Sequence, residues 1–268
     1  MANTTPGTMF QERWVEADGF RIRFMQAGDG PPLVHLHGSA GLQLTPAHDL
    51  LSQSFRVIVL EMPGFGASPR NSRTQNMPQM AATMAAAATA IGLDRFHLMG
   101  TSFGATVALW LAANHSALVR TLVLEAPAAI RPKTMQPVSG TPQQIAGRLY
   151  AHPERMPPLP ATDPGPAVQT LILLRRLRGS SRDPALEDRL LQVATPTLVV
   201  FGTRDSVIPP DTGRLYKTLM PNANLVFLYD AGHAAAAERP EAFAEIVSDF
   251  LQHGDAFLIS RGKTLIFP

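Results

Sequence analysis

The sequence predicts an α/β fold in which a mostly parallel, eight-stranded sheet carries helices on both faces and an inserted helical lid. Short apolar runs that end in turn residues alternate along the chain with segments of helical periodicity, which is typical of buried parallel strands joined by helices. Residues 128–194 interrupt this alternation, because they contain no convincing strand. A structureless loop of that length is uncommon between two strands, so we expect an inserted lid there.

The elements follow in order along the chain. The first two strands form a hairpin in "ERWVEADGFRIRFMQAG", because Asp18-Gly19 is a strong hairpin turn signal. The third and fourth strands lie in "PPLVHLHG" and "SFRVIVLEMPG", and the fifth begins with the apolar run 96–99. The last three strands lie in "LVRTLVLEAP", "TPTLVVFGTRD" and "ANLVFLYDAGH". An alanine-rich helix is predicted over residues 77–91, and the last long helix over 240–252.

Proline content marks the insertion. Residues 127–166 hold ten of the 24 prolines, and two helical patterns lie within the interruption, over 143–150 and 168–177. We therefore divide the chain into a core (1–127 and 194–253), a lid or cap insertion (128–193) and a C-terminal tail (254–268). The apolar tail is compatible either with an added strand or with packing against a second subunit.

Composition limits the class of protein. A chain that is 45% hydrophobic and 16% charged suits one sizeable globular domain, and a net charge of +2 without a basic block gives no reason to expect a nucleic-acid partner. The absence of cysteine excludes disulfides, thiolate nucleophiles and Cys-ligated metals. No secretory signal is visible, and the longest uncharged Ala- and Thr-rich run, residues 80–93, is too short to cross a bilayer. We expect a cytoplasmic monomer or homodimer without a membrane span that acts on a small molecule.

One serine occupies a position typical of a nucleophile. The stretch "HLMGTSFGAT" contains GTSFG at residues 100–104, which matches G-x-S-x-G. A sharp turn from a strand to a helix strains its central residue, so the positions two before and two after must be small. The alternative interpretation is that Ser102 only caps the following helix, with glycines for turning.

A serine hydroxyl is a poor nucleophile unless a base removes its proton and an acid orients that base. In an open parallel sheet, ligand sites lie at the carboxyl ends of the strands. Asp205 comes just after the seventh predicted strand, and His233 just after the eighth. Ser102, Asp205 and His233 are therefore expected to meet at this edge of the sheet.

Four local patterns resemble the α/β-hydrolase family: "HGSAG", "EMPGFGAS", "GTSFGA", and "GTRDSVIP" with "GHAAAAERPEAF". They occur in the expected order at strand ends, the resemblance covers nearly the whole chain except the lid and tail, and Ser…Asp…His is the order of this family's triad. The resemblance implies that Ser102 attacks a substrate carbonyl, that His233 is the general base and that Asp205 fixes its tautomer. It also implies an oxyanion hole made by the backbone N–H groups of Ser39 and Phe103.

Two departures from the family pattern bear on these assignments. The elbow continues with Ala105 where a second glycine is common, and Glu125 ends the sixth strand, where some relatives carry the triad acid. We prefer Asp205 because its loop matches the family pattern better. Turnover that survives Asp205→Asn and is lost in Glu125→Gln would reverse that choice.

Residues near the predicted site are candidates for its pocket. His37 and Gly38 are expected to shape the loop after the third strand. Arg175 belongs to a basic cluster on the second lid helix, where it either grips a substrate carboxylate or belongs to a solvated face. Leu171, on the apolar side of that helix, either lines the pocket or seats the lid on the core.

No metal or cofactor is expected. His35 and His37 are two residues apart and could share one side of a strand, but no further ligand cluster joins them. His48 and His97 are expected to be surface or core histidines without a role. The stretch "GFGASP" at 64–69 resembles a dinucleotide-binding loop only in part, because a proline replaces its third glycine.

The resemblance implies a serine hydrolase that cleaves a small, largely apolar ester, like a carboxylesterase, through an acyl-enzyme on Ser102. The similar carbon–carbon bond hydrolases of aromatic-ring cleavage pathways often have Asn before the nucleophile and Trp after the histidine, whereas this chain has Thr101 and Ala234 there. A perhydrolase, or a triad-bearing ligand receptor with slow turnover, is a further alternative. Ser102 argues against dehalogenases and epoxide hydrolases, which need a carboxylate nucleophile.

Overall fold

A single mixed sheet organises the chain, whose computed structural model describes residues 5–133, 135, 138–159, 164–254 and 256. The strands are β1 (Gln11–Ala17), β2 (Phe20–Ala27), β3 (Pro32–Leu36), β4 (Arg56–Leu60), β5 (Phe96–Thr101), β6 (Val119–Glu125), β7 (Thr197–Gly202) and β8 (Ala223–Leu228). Their order in the sheet is β1-β2-β4-β3-β5-β6-β7-β8. Strands β3 to β8 are parallel, and β2 pairs antiparallel with both β1 and β4. The predicted eight-stranded, mostly parallel sheet is confirmed.

Helices connect the parallel strands. They are α1 (Pro46–Leu51), α2 (Met77–Ala90), α3 (Phe103–Asn114), α4 (Pro142–Leu149), α5 (Pro164–Leu177), α6 (Pro184–Leu190), α7 (Thr212–Leu219), α8 (Ala235–Glu238) and α9 (Pro240–His253). Proline occupies the first turn of α1, α2, α4, α6 and α9, where its missing N–H costs no helical hydrogen bond. Among the described residues, no helix is both long enough and apolar enough to cross a membrane.

The β1–β2 hairpin turns at Asp18-Gly19 as predicted. Both residues have positive φ angles, 48° and 69°, which match the twist that a two-residue hairpin needs. The Asp18 carboxylate also accepts a hydrogen bond of 2.5 Å from the Thr83 hydroxyl and lies 3.3 Å from the Arg73 guanidinium. The turn is thereby fixed to α2 and to the segment that precedes it.

Apolar side chains cover both faces of the sheet. One buried cluster joins the sheet to α2, α3 and α7, and a second joins the opposite face to α1, α8 and α9. Strands β3, β4, β5 and β7 are buried almost throughout, which explains their continuous apolar sequences. Because helices cover both faces of the central strands, a ligand is expected at the carboxyl ends of these strands.

The segment between β6 and β7 holds α4, α5 and α6. The helical patterns predicted over 143–150 and 168–177 correspond to α4 and α5, whereas α6 was not predicted. In α6, Leu186 and Leu190 are fully buried, and Arg189 donates to the Asn114 side chain at the end of α3 over 3.1 Å. The boundaries of the lid stay a prediction, and most of the predicted tail (254–268) lies outside the described residues.

Candidate active site

Ser102 lies at the turn between β5 and α3 with an unusual backbone. Its φ and ψ angles are 52° and −108°, a region that residues with a side chain rarely adopt. Main-chain hydrogen bonds hold it there, since its N–H donates to the Glu125 carbonyl over 2.8 Å and its carbonyl accepts from the Ala128 N–H over 3.1 Å. The turn therefore lifts the Ser102 side chain out of both the strand and the helix.

The glycines beside Ser102 are required by close packing. A Cβ atom at Gly104 would stand 2.1 Å from the Leu36 carbonyl oxygen and 2.3 Å from that of His37. A Cβ atom at Gly100 would stand 2.7 Å from the Cα atom of Ala105. The spacing G-x-S-x-G thus lets α3 begin directly against β3.

Gly104→Ala is expected to lower the free energy of unfolding by at least about 3 kcal/mol, because the added methyl meets backbone that has little freedom to shift. Urea unfolding of the purified variant measures the change. The matched control is Gly147→Ala in α4, where the described residues place no atom outside the helix backbone and the adjoining residues within 4 Å of the added methyl. That variant is expected to keep or slightly raise stability, because alanine favours a helix. Equal losses in the two variants would contradict the packing argument.

Ser102, His233 and Asp205 lie in one hydrogen-bonded row. The Ser102 hydroxyl is 3.0 Å from Nε2 of His233, and Nδ1 of His233 is 2.8 Å from Oδ2 of Asp205. The other Asp205 oxygen accepts the N–H groups of Val207 and Ile208 over 2.8 and 2.9 Å. These contacts give Nδ1 of His233 a carboxylate to donate to, which leaves Nε2 free to accept the serine proton.

Glu125, the alternative acid, points elsewhere. It ends β6 in sheet register with Thr101, and its Oε2 accepts the Thr101 hydroxyl over 2.7 Å. Its Oε1 accepts the Ala236 N–H over 2.8 Å. The hydrogen bond from Nδ1 of His233 thus goes to Asp205, and the assignment of Asp205 as the orienting acid stays a prediction.

The loop after β3 passes beside Ser102. A Cβ atom at Gly38 would lie 3.8 Å from the Cβ atom of Ser102, in ordinary contact. Nε2 of His37 accepts the Met62 N–H over 3.0 Å, so the His37 proton is on Nδ1 and donates to the Gly38 carbonyl over 2.7 Å. Burial lowers the pKa of His37 to about 4, so this ring is neutral. In a trans peptide the N–H opposes the C=O, so the Ser39 N–H points away from His37.

Helix α4 packs against the loop that carries His233. The Leu149 carbonyl accepts the Ala234 N–H over 3.2 Å. The Glu238 carboxylate joins the two segments, because it accepts the N–H groups of Ala151 and Gly232 over 2.8 and 2.6 Å. The end of α4 therefore covers the histidine side of the site.

Helix α5 packs against the loop after β4. The Thr170 hydroxyl donates to the Gly64 carbonyl over 2.8 Å, and Leu173 is buried. Leu171 is 48% exposed and Arg175 is also exposed, so neither of these two predicted pocket residues lies on the buried side of α5. Arg176, their neighbour, donates to the Asn71 carbonyl over 2.6 Å.

His35 of β3 and His37, which follows this strand, do not share a ligand site. His37 contacts the Met62 and Gly38 backbone, whereas His35 is bonded to Thr101 and to His48. Within the part of the chain that the structure describes, no group of three or more His, Cys, Asp or Glu side chains is arranged to hold a metal ion. His48 was predicted to have no role, and only the fold brings it to His35.

Comparison with known proteins adds the family. A model of the alpha/beta hydrolase family matches residues 33–246. A 2-hydroxy-6-oxononadienedioate/2-hydroxy-6-oxononatrienedioate hydrolase of Pseudomonas putida is 26% identical over 266 residues, 87% of this chain and 92% of that protein. A pimeloyl-(acyl-carrier protein) methyl ester esterase of Aeromonas hydrophila is 28% identical over 253 residues, 84% of this chain and 96% of that protein.

The solved structure of a meta-cleavage product hydrolase from Pseudomonas fluorescens superposes with a TM-score of 0.78 at 19% identity, covering 90% of this chain and 97% of that one. At this identity the likeness concerns the fold. The family match, by contrast, runs from β3 into α9 and includes every motif on which the resemblance was based. The chain therefore belongs to the α/β hydrolase family of enzymes.

Proposed function

We propose that this protein is a serine hydrolase that cleaves a small, largely apolar ester through an acyl-enzyme on Ser102. The observation that carries the proposal is the row from Ser102 through His233 to Asp205, with links of 3.0 and 2.8 Å. Such a row lets a neutral imidazole take the hydroxyl proton while the carboxylate stabilises the resulting positive charge.

The reaction proceeds in two halves. Nε2 of His233 takes the Ser102 proton as Oγ bonds to the ester carbonyl carbon, and the same proton then passes to the departing alkoxide as the carbon–oxygen bond breaks. A water molecule next gives its proton to His233 and attacks the acyl carbon. The Ser102 oxygen leaves with that proton, and the acid is released.

The negative oxygen that forms on the carbonyl needs donors. The proposed donors are the N–H groups of Phe103 and Ser39. The Phe103 N–H belongs to the first turn of α3, where a helix has no internal acceptor for it. His37 aims the other donor, because it holds the Gly38 carbonyl on the opposite side of the same peptide. Each such donor is worth about 3 kcal/mol of barrier.

Aromatic and aliphatic side chains near the nucleophile support an apolar acyl group. The Phe65 and Phe103 rings have their centroids 5.8 Å apart, and Phe103 directly follows Ser102. Leu173 of α5 lies over Gly64, next to Phe65. A small apolar acyl chain suits this surface better than a charged one, because burying an unpaired charge is costly.

Carbon–carbon bond hydrolysis is the second candidate. It is favoured by the relative from Pseudomonas putida, whose name records action on dienedioate and trienedioate compounds. The relative from Aeromonas hydrophila, an esterase, is similar to this chain to nearly the same degree. The same serine, histidine and aspartate would serve both reactions, so the two activities have to be distinguished by assays with different substrates.

A substrate panel tests the proposal. Purified protein is assayed with p-nitrophenyl acetate, butyrate and octanoate, with methyl esters of the corresponding acids, and with a 2-hydroxy-6-oxo-dienoate. We expect many turnovers on the short-chain esters and a kcat/KM at least about tenfold higher than on the dienoate. The opposite ratio would favour the carbon–carbon hydrolase, and product that stops near one equivalent per protein would contradict both enzymatic functions.

A further inference from the structure

Glu125 is a buried carboxylate that the proposed reaction does not use. It is 3% exposed, and its two oxygens reach in different directions. Oε2 accepts the hydroxyl of Thr101, the residue before the nucleophile, and Oε1 accepts the N–H of Ala236, three residues after His233. The Glu125 carbonyl also accepts the Ser102 N–H. One residue thus contacts both segments that must meet for the serine to reach the histidine.

Behind Thr101 lies a chain of hydrogen bonds whose direction can be assigned. The Thr45 N–H donates to Nδ1 of His48 over 3.0 Å, so the proton of this neutral ring is on Nε2. That nitrogen is 2.8 Å from Nδ1 of His35, which must therefore accept. Nε2 of His35 then carries the proton and donates to the Thr101 hydroxyl oxygen over 2.9 Å. The Thr101 proton is left with one acceptor, Glu125.

Both rings of this chain are neutral. Burial lowers the pKa of His48 to about 4, and burial together with the neighbouring His48 and His37 lowers the pKa of His35 well below its usual range. A neutral ring carries one proton, so no link of the chain can reverse while the Thr45 N–H stays in place. The Thr101 hydroxyl is consequently held in one rotation and directed at the carboxylate.

The charge of Glu125 acts on the same site. Burial raises its pKa, whereas the hydrogen bonds from Ala236 and Thr101 and the charge of protonated His233 lower it. Asp205 is the other charged group that acts on this carboxylate, and it raises the same pKa. His233 therefore lies in the field of two carboxylates, and only Asp205 touches its ring.

We propose that Glu125 is a positioning residue of the triad, which holds the Thr101–Ser102 strand end and the His233 loop together and is itself oriented by the chain Thr45–His48–His35–Thr101. The proposal rests on the proposed function, since it assigns a role relative to Ser102 and His233. It differs from a role as triad acid, because Glu125 acts through Thr101 and Ala236 and not through the imidazole.

Thr101→Val tests the hydroxyl link without changing the shape of the side chain. It leaves the His35 N–H and one Glu125 oxygen without a partner, so the strand end and the histidine loop lose their common anchor. We expect kcat on the best ester to fall about 10- to 100-fold, with KM unchanged because no substrate contact is lost. Thr101→Ser restores the hydroxyl and is expected to recover a large part of the loss.

The matched control lies on the same two strands. Thr121 of β6 is buried and its hydroxyl is 2.8 Å from Nδ1 of His97 on β5, so Thr121→Val also removes a buried threonine–histidine contact, at the other end of the strand pair. Its stability loss in urea is expected to be similar, whereas kcat should not change. Equal kcat losses in Thr101→Val and Thr121→Val would overturn the proposal in favour of general destabilisation.

Glu125→Gln tests the charge. Removing a negative charge from the surroundings of His233 disfavours the imidazolium, so the acid limb of the kcat/KM profile is expected to move to lower pH. In the substrate-free protein, an NMR titration that follows the ring protons of His233 is expected to show its midpoint at lower pH as well. A merely structural residue would change neither midpoint.

These measurements separate the proposal from the function on which it rests. If wild type hydrolyses no substrate of the panel, the proposed function fails, and the NMR comparison of Glu125→Gln with wild type still decides the role of Glu125. If wild type is active, while Thr101→Val and Glu125→Gln match it in kcat and in titration midpoint, the positioning role is wrong and the function stands.

Discussion

Replacing Ser102 by alanine is expected to lower kcat for ester hydrolysis by about 10⁴- to 10⁶-fold, because the row loses the atom that is proposed to form the acyl-enzyme. Asp205 and His233 contact each other independently of the hydroxyl, so the remainder of the site should keep its geometry. KM should change little, because the proposed oxyanion donors and the apolar surface are unaffected. Steady-state assays at high enzyme concentration measure the residual rate.

A matched control and an orthogonal label make this result decisive. Ser248→Ala in α9 removes a serine hydroxyl on a different element and is expected to leave kcat unchanged. A fluorophosphonate should label wild type and Ser248→Ala on one serine, and it should not label Ser102→Ala. Full activity in Ser102→Ala, or labelling at another serine in wild type, would show that the nucleophile has been assigned wrongly.

The free energy of unfolding is expected to fall steeply as the pH is lowered from about 7 to about 4. Burial lowers the pKa of His37, His48 and His97 from 6.5 to about 4, and lowers that of His35 well below its usual range. In this window the unfolded chain binds protons that the folded chain does not, so each depressed histidine contributes stability that is complete above pH 6.5 and is lost on acidification.

The size of this effect follows from the shifts. A depression from 6.5 to about 4 corresponds to about 3 kcal/mol for each of His37, His48 and His97 near pH 4. Whole domains are stable by only about 5–15 kcal/mol. Glu61 and Glu125 act in the opposite direction, because burial raises their pKa values and their stabilising contribution is lost as the pH rises. These two carboxylates therefore reduce the loss that the histidines cause.

Urea unfolding at pH 7, 6, 5 and 4.5 measures this dependence. His97→Asn is the informative variant, because His97 lies away from Ser102 and bonds to the Thr121 hydroxyl. This variant should lower the free energy of unfolding at pH 7. It should also make that free energy fall less steeply toward acid pH, because one histidine fewer binds a proton on unfolding. A free energy of unfolding that is constant from pH 7 to 4.5 would mean that these rings take up protons in the folded protein as readily as in the unfolded chain.

The sheet and the elbow could be predicted from the sequence because they depend on local signals. The hairpin at Asp18-Gly19 needs two positive φ angles, and the sequence offers the residues that adopt them. The glycines at 100 and 104 are fixed by backbone packing within one strand–turn–helix unit. The strand ends that carry Asp205 and His233 then follow from the topology of a parallel sheet.

The orientation of α5 could not be predicted in the same way. Its apolar residues form two stripes, one with Leu171 and one with Leu173 and Leu177, and periodicity alone gives no reason to choose between them. In the structure Leu173 and Leu177 are buried and Leu171 is half exposed. Which stripe of α5 is buried depends on the loop after β4, where the Gly64 carbonyl accepts a hydrogen bond from the Thr170 hydroxyl.

The hydrogen-bonded chain from His48 to Glu125 could not be predicted from the sequence either. His48 is 53 positions before Thr101 in the sequence, and no spacing rule connects a residue of α1 with the end of β5. His35 comes to lie between His48 and Thr101 because β3 is placed between β4 and β5 in the sheet. A buried polar side chain becomes informative once its partners are known, because burial without a partner is costly.

Main-chain groups give direct anchors to two residues of the row. Main-chain amides and carbonyls fix Ser102, and main-chain N–H groups fix one Asp205 oxygen. The surfaces that would choose a substrate are made of side chains on α5 and on loops, which can be exchanged without disturbing those anchors. Under the proposed function, selectivity and reactivity depend on different parts of this scaffold, so a redesign for another acyl group can start from Phe65 and Leu173 and leave Ser102 unchanged.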